Sequence, residues 1–100
     1  SKLSARIMID KIPVYNGVRD LISSGVRSSI FNENMKYAKY MFFENNKKSE
    51  ILFDPQTAGP FLATVPERKI HSLVKKAQDL NAKCEVIGEI KKGKASIEVV

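Results

Sequence analysis

The sequence is poor in the residues that build covalent or metal-linked frameworks. Its 100 residues contain one cysteine, Cys84, and one histidine, His71. A lone cysteine cannot form an internal disulfide, and the two residues together fall short of the roughly four ligands of a structural zinc site. The composition therefore excludes a fold that is stabilised by internal disulfides or by a structural zinc ion, and it fits a reducing, cytoplasmic setting.

Long apolar runs are also missing, and glycine and proline are scarce. No run approaches the roughly 20 apolar residues that span a bilayer, and no charged segment precedes a short apolar one at the N-terminus. We therefore expect neither a membrane span nor a secretory signal. Five glycines and four prolines, with 43% hydrophobic and 28% charged residues, are typical of one globular domain over residues 1–100.

Acidic residues are fewer than basic ones, 11 against 17, which leaves a net charge of +6. Such a balance favours anionic partners. The lysine pairs at 47–48, 75–76 and 91–92, however, lack the interleaved aromatic residues of a nucleic-acid-stacking surface. We interpret them as solvated surface and do not expect a nucleic-acid partner. A stand-alone domain that binds a phosphate ligand or nucleic acid is kept as the alternative.

The sequence has no visible set of catalytic or metal-binding groups. Its aspartates are scattered, whereas a magnesium–phosphate site needs carboxylates that converge on the metal. The glycines are too widely separated to form a phosphate-binding loop. We therefore predict no catalytic residue and no metal site in this chain. The aspartates are Asp10, Asp20, Asp54 and Asp79.

Hydrophobic periodicity predicts an α+β fold, a mixed β-sheet with helices packed on it. Predicted strands cover Ala5–Asp10, Phe61–Val65, Cys84–Ile90 and Ala95–Val100; predicted helices begin at Asn16, Asn34 and Pro66, the second running into an extended segment before Phe43. The second and third predicted strands, on either side of the helix that begins at Pro66, predict a parallel crossover, and the last two strands predict an antiparallel hairpin. The run from Ser49 to Phe53 fits either a helical turn or a short buried strand.

Single residues complete this prediction. Asn16 is expected to cap a helix, while Gly25 and Asn81 are expected to end helices in the left-handed conformation. His71 lies off the apolar stripe of its helix and is expected at the surface, and Cys84 is expected as a buried, inert thiol. The predicted core comprises Ile7, Ile9, Leu21, Phe61, Leu62, Ile70, Leu73, Val74, Ala77, Val86 and Ile97, with Leu80 on the same helical stripe.

The segment from Asp54 to Gly59 interrupts an apolar stretch with polar and conformationally special residues. One interpretation is a tight turn, in which Asp54 bonds to the backbone and Gly59 supplies a positive φ. The other is a small anion-binding concavity made by the Gln56 amide, the Thr57 hydroxyl and backbone N–H groups near Gly59. The spacing alone does not choose between them.

This segment carries a resemblance to a known family. The string ILFDPQTAGPFLATVP, residues 51–66, resembles the LFDPQTSGGLL motif in the C-terminal domain of selenophosphate synthetases. Other landmarks agree in order and spacing. They are the first strand with Asp10 and Ile12-Pro13 at its end, Gly25 followed by Ser28-Ser29, Asn34, the long helix, and the string CEVIGEI at 84–90. The string GVRSSIFNEN, residues 25–34, is most similar to the branch of the family that is fused to a pyridine-nucleotide disulfide oxidoreductase-like module.

The resemblance implies the C-terminal α+β domain of an aminoimidazole ribonucleotide synthetase-like protein. In that family ATP, selenide and water yield selenophosphate, AMP and phosphate, with magnesium held by aspartates of an N-terminal, dimerising, ATP-binding domain. The implied partners are therefore that N-terminal domain, a second parent chain and a fused oxidoreductase. The chain itself is expected to hold no cofactor, to be inactive alone and to complete the active site. A related kinase or hydrogenase-maturation protein is the other family alternative.

The resemblance also implies candidate substrate- or anion-binding residues, which are Asp54, Gln56, Thr57, Gly59, Ser28, Ser29 and Asn34. The family motif has a second glycine where this chain has Pro60. Proline removes a backbone N–H and restricts the residue before it. An anion-binding loop at this position would therefore have one donor fewer than the family pattern.

Overall fold

The computed structural model describes residues 2–43, 47–55 and 59–100. Within these ranges the strands are β1 (Leu3–Ile7), β2 (Met41–Phe43), β3 (Gly88–Lys92) and β4 (Ser96–Val99). The α-helices are α1 (Val18–Ser23), α2 (Phe31–Met35) and α3 (Ile70–Asp79), and 3-10 helices cover Ile9–Lys11, Lys36–Tyr40, Lys48–Phe53 and Glu67–Lys69. This mixed sheet with helices packed on it confirms the predicted α+β class.

The sheet is built around β1 and β4. Its strand order is β2-β4-β1-β3; β4 runs parallel to both of its neighbours, and β3 runs antiparallel to β1. Beyond the strand ends the pairing continues, because Met8 N donates to Ile87 O at 2.8 Å and Ile9 N donates to Val100 O at 2.9 Å. The first strand covers Leu3–Ile7 and not the predicted Ala5–Asp10, because the chain forms a 3-10 helix from Ile9 onward.

The predicted hairpin between the last two strands is wrong. β3 and β4 do run in opposite directions, but β1 lies between them and takes the hydrogen bonds of both. The connecting turn passes the start of β1, where Gly93 N donates to Lys2 O at 2.9 Å. A turn signal between two alternating segments specifies a reversal of direction, and it does not specify which strand fills the space between them.

The predicted strand over Phe61–Val65 is also wrong. No strand forms there, and Phe61 and Leu62 are 102% and 80% exposed. Pro60 and Pro66 withhold backbone N–H donors on either side of the segment, which disfavours a place inside a sheet. Without this strand the predicted parallel crossover through α3 does not exist, and the parallel pairs are β1–β4 and β2–β4.

Both predicted left-handed helix ends are confirmed. Gly25 has φ +93° and Asn81 has φ +54°. At each end two backbone N–H groups bond back to the last helical turn, as in Ala82 N to Ala77 O at 2.8 Å. The start of α1 differs from the prediction, because Gly17 rather than Asn16 occupies the N-cap and no side chain caps the helix.

The buried core is smaller than predicted and lies at one end of the sheet. Phe53 packs edge-on against Phe31 and Phe43, with ring centroids 6.5 and 6.1 Å apart, and Ile9 and Val99 are 3% and 1% exposed. Of the predicted core, only Ile9 is fully buried. Ile7, Ile70, Val74, Ala77 and Ile97 are half-buried, whereas Leu21, Phe61, Leu62, Leu73, Leu80 and Val86 are exposed. Periodicity identifies an apolar face, but it does not show whether another element covers that face.

The remaining segments resolve the open alternatives. The run around Ser49 is helical, since the 3-10 helix Lys48–Phe53 contains it. The second predicted helix begins earlier than expected, because α2 starts at Phe31 and not at Asn34; it continues into the 3-10 helix Lys36–Tyr40 and, as expected, into the extended β2. His71 is exposed, as predicted, and Cys84 is half-buried rather than buried. None of the helices in the described ranges is long and apolar enough to cross a membrane.

Candidate functional site

The 3-10 helix Lys48–Phe53 positions the start of the polar motif. Its buried residues, Ser49 and Phe53, are 1% and 4% exposed and anchor the helix in the core. Asp54 follows in an extended conformation, and its N–H donates to Ile51 O at 3.4 Å. Asp54 and Pro55 are half-buried. The core therefore fixes where the motif begins.

Asn34 reaches this point from α2. Its Nδ2 donates a partly buried hydrogen bond to Phe53 O at 2.8 Å, and the Phe31 ring from the same helix packs against Phe53. The carbonyl that Asn34 holds is thus the one immediately before Asp54. The structure brings together two candidate residues that lie 20 positions apart in the sequence.

The two candidate serines lie in the loop that leads into α2. The carbonyl of Ser28 accepts a hydrogen bond from Phe31 N at 3.2 Å, and its Oγ accepts one from Ile30 N at 3.4 Å. These bonds shape the entry to the helix, which is a common local role of serine. Ser28 is half-buried and Ser29 is exposed. Ser28 is therefore engaged by its own loop, whereas Ser29 faces solvent.

Arg27 connects the two candidate segments, and the sequence analysis missed it. Its guanidinium pairs with the carboxylate of Glu50, in the 3-10 helix before the motif. It also donates to Val26 O at 2.9 Å and to Ile22 O at 2.5 Å, and it lies 5.0 Å from the centroid of the Phe31 ring. Arg27 lies inside the string GVRSSIFNEN, and Glu50 directly precedes the string at residues 51–66. The two residues are 23 positions apart, so their pairing has no local sequence signal.

The rest of the motif is described in part. Gln56 and Thr57 lie outside the described residues, so the anion-binding concavity stays a prediction. Gly59 is exposed where the described chain resumes. Of the seven candidate residues, the structure thus brings together Asn34 and Asp54, and it places Ser28 and Ser29 in the loop that precedes the helix of Asn34.

The described residues do not form a magnesium site. Among residues 2–43, 47–55 and 59–100, no group of three or more His, Cys, Asp or Glu side chains could hold a metal ion. Asp10 is paired with Lys48 at 3.3 Å, and Glu50 with Arg27. A magnesium–phosphate site needs converging carboxylates.

Comparison with known proteins points to one family. No protein-family model matches the chain. It is similar, however, to curated proteins named selenide, water dikinase: that of Haemophilus influenzae is 30% identical over 92 residues and that of Campylobacter jejuni 25% identical over 88 residues. The relative from Caldanaerobacter subterraneus is 32% identical over 89 residues.

The similarity covers most of this chain but little of each relative. The matches include 91%, 88% and 82% of the chain, in the order given, and 26%, 26% and 25% of the respective relatives. The chain therefore spans about a quarter of the length of the curated relatives that it matches. It resembles one domain of a larger protein.

Proposed function

We propose that this chain is the C-terminal domain of a selenophosphate synthetase, the enzyme also called selenide, water dikinase. The similarity to curated proteins of that name over about 90% of the chain supports the family. The structural observation that supports the proposal is the hydrogen bond from Asn34 to Phe53 O at 2.8 Å. It joins the two segments whose sequences resemble the family, residues 25–34 and 51–66.

The domain has no turnover of its own and completes an active site that its parent protein builds mainly elsewhere. ATP and magnesium would be held by the N-terminal ATP-binding domain of the parent, as the resemblance to the family implies. The role left for this chain is to present the segment from Asp54 to Gly59 to that domain. Asn34, Arg27 and Glu50 hold the two loops behind it. Dimerisation and a fused oxidoreductase would be properties of the parent.

The test compares the isolated chain with its parent protein. We expect the 100-residue chain to form no AMP from ATP and selenide above background, and the parent to form it. Adding the isolated domain to a parent protein that lacks residues 1–100 should restore part of the lost activity. A parent that forms AMP equally well with and without these residues would overturn the proposal, and so would selenide-dependent AMP formation by the isolated chain.

A second candidate function is the binding of a polyanion. It is favoured by lysines at the end of the sheet where β1 begins and β3 ends. Lys2, Lys92 and Lys94 line one surface depression beside Leu3. None of the three has an ion-pair partner among the described residues. Titration with an oligonucleotide and with ATP across a salt series tests this, because nucleic-acid binding releases counterions, and their release becomes less favourable as the salt concentration rises. Lys75→Gln, on α3, is the matched control for Lys92→Gln.

A further inference from the structure

The strand β3 forms one edge of the sheet, and in the part of the chain that the structure describes no strand pairs with its outer side. Met8 and Ile87 continue the register of β1 with β3 as a hydrogen-bonded pair, in which Met8 N donates to Ile87 O at 2.8 Å. Bonded and non-bonded pairs alternate along antiparallel strands. The backbone N–H and C=O groups of Gly88, Ile90 and Lys92 therefore point away from β1, towards a strand that could join the edge.

Two charged side chains of this edge strand, Glu89 and Lys91, have no ion-pair partner among the described residues. They lie on the polar face of the sheet, opposite Arg6 and Ser4 of β1, and both are exposed. Arg6 is next to Glu89 but binds Glu98 of β4, with its Nε 3.2 Å from the carboxylate. The edge therefore presents one unpaired charge of each sign, two residues apart.

The side chain between these two charges belongs to the other, apolar face of the sheet. Ile90 is paired with Ala5 of β1, and Ala5 is paired with Ile97 of β4, so the three side chains form a row across the sheet. Ile90 ends this row at the edge and is 50% exposed. A strand added beside β3 would cover it if that strand also placed an apolar residue opposite Ile90.

We propose that β3 pairs antiparallel with β3 of a second copy of this chain, about a two-fold axis at Ile90, so that the two sheets become one continuous sheet. In this register Glu89 lies opposite Lys91 of the second copy, and Lys91 lies opposite its Glu89. Ile90 meets Ile90 of the second copy on the apolar face. The outward backbone groups of the two strands then form about six hydrogen bonds between the copies.

The charges select both the register and the occupant. Moving the two-fold axis by one residue places Glu89 opposite Glu89, or Lys91 opposite Lys91, and like charges directly opposite each other are destabilising. Lysines on an edge strand ordinarily discourage pairing with other chains. An antiparallel partner that neutralises both charges needs the order Glu-x-Lys, and β3 itself has that order. A second copy therefore fits this edge better than an unrelated strand.

The contact is separate from the dimerisation that the resemblance assigns to the N-terminal domain of the parent protein. It needs only residues of this chain, and it does not depend on the proposed function. Its tests involve neither ATP nor selenide, so a failure of this proposal and a failure of the proposed function are distinguishable.

Charge reversal tests the pairing in the full 100-residue chain. By sedimentation equilibrium we expect the unchanged chain to dimerise as its concentration rises, and Lys91→Glu and Glu89→Lys each to raise the dimer Kd about tenfold or more, because each sets like charges opposite each other. An equimolar mixture of the two variants should form heterodimers with a Kd near that of the unchanged chain, since every charge again faces its opposite. The matched control is Lys75→Glu, the same change of charge on α3, which should leave the Kd within about twofold of the unchanged chain at equal salt.

Two results of this experiment would overturn the proposal. The first is an unchanged chain that stays monomeric up to about 1 mM. The second is a mixture of Lys91→Glu and Glu89→Lys that associates no better than either variant alone. A dimer of the unchanged chain that neither charge reversal weakens would assign self-association to another surface, and it would overturn the pairing of β3 as well.

Disulfide trapping tests the register without changing a charge pair. In a Cys84→Ser background, Ile90→Cys places a thiol opposite its own counterpart, where Cα atoms of a bonded pair are about 5.5 Å apart, within the range of a disulfide. The control is Lys92→Cys, on the same face of β3, whose counterpart lies four residues further along the second strand, about 13 Å away. Under the same mild oxidation we expect the link between chains to form about tenfold faster at position 90 or more. Equal rates, or a faster link at position 92, would overturn the proposal.

Discussion

The side-chain amide of Asn34 donates a hydrogen bond to the backbone oxygen of Phe53 at 2.8 Å. Phe53 is 4% exposed, so its carbonyl lies where water competes poorly for the bond. The bond connects α2 to the last residue of the 3-10 helix that precedes the polar motif. The position of Asp54 therefore depends on an amide that lies in another segment of the chain.

Asn34→Ala should lower the free energy of unfolding by about 1–2 kcal/mol, because it leaves a partly buried carbonyl without its donor. Asn34→Asp should cost more, since it places a carboxylate oxygen against that carbonyl. Urea unfolding measures both. The control is Asn32→Ala, on the exposed side of the same helix, for which we expect less than about 0.5 kcal/mol. Equal losses at the two positions would show that the bond to Phe53 O contributes nothing specific.

Gly88 should not tolerate a side chain. A Cβ at this position would stand 2.1 Å from Arg6 O, where the antiparallel strands β1 and β3 approach closely. Backbone on both sides has little room to move, so we expect Gly88→Ala to lower the free energy of unfolding by about 2 kcal/mol or more. At Gly93 the nearest atom is Ser4 Oγ, at 3.2 Å. That side chain can rotate away, so Gly93→Ala should cost clearly less in the same thermal or urea unfolding experiment.

The ion pair between Arg27 and Glu50 should contribute a modest coupling energy. Both side chains are about a quarter exposed, at 26% and 28%, so solvent screens them in part. A double-mutant cycle with Arg27→Gln and Glu50→Gln should give about 0.5–1 kcal/mol, and the value should fall at high salt. The single change at Arg27 should cost more than that at Glu50, because it also removes the bonds to two carbonyls and the contact with Phe31. A coupling energy near zero would reduce Arg27 to a local cap of α1.

The sequence was informative where a single residue decides the backbone and uninformative where distant segments decide. Gly25 and Asn81 predicted two helix ends because a left-handed residue suffices to end a helix. The order of the strands followed no local rule, since β1 inserts between two strands that a turn connects. The motif from Asp54 to Gly59 was recognisable from the sequence alone. The contact of Asn34 with Phe53 O and the ion pair of Arg27 with Glu50 form only when the chain folds.

Gln56→Ala and Thr57→Ala should separate function from stability. We expect each change to alter the stability of the isolated domain by less than about 1 kcal/mol, as is usual for substitutions at the surface. In the parent protein the same changes should lower selenophosphate formation. Unfolding and activity are measured for both variants in both contexts. Strong destabilisation of the domain, with unchanged specific activity of the parent, would assign the segment to a structural turn.

Pro60→Gly tests whether the loop binds an anion through its backbone. The change restores the glycine of the family motif, which adds one N–H donor and frees Gly59 to adopt a positive φ. If backbone donors near Gly59 contact a phosphate group, the parent protein carrying Pro60→Gly should bind ATP or phosphate more tightly, measured by calorimetry as a lower Kd. Pro60→Ala is the matched control, because it restores the donor without the freedom of glycine. If Pro60→Ala lowers the Kd as much as Pro60→Gly does, the N–H that proline lacks explains the gain in affinity. If only Pro60→Gly lowers the Kd, the backbone conformation that glycine permits explains it. An unchanged Kd in both variants would exclude an anion-binding loop at this site and leave the domain assignment to stand on the similarity and the Asn34 contact alone.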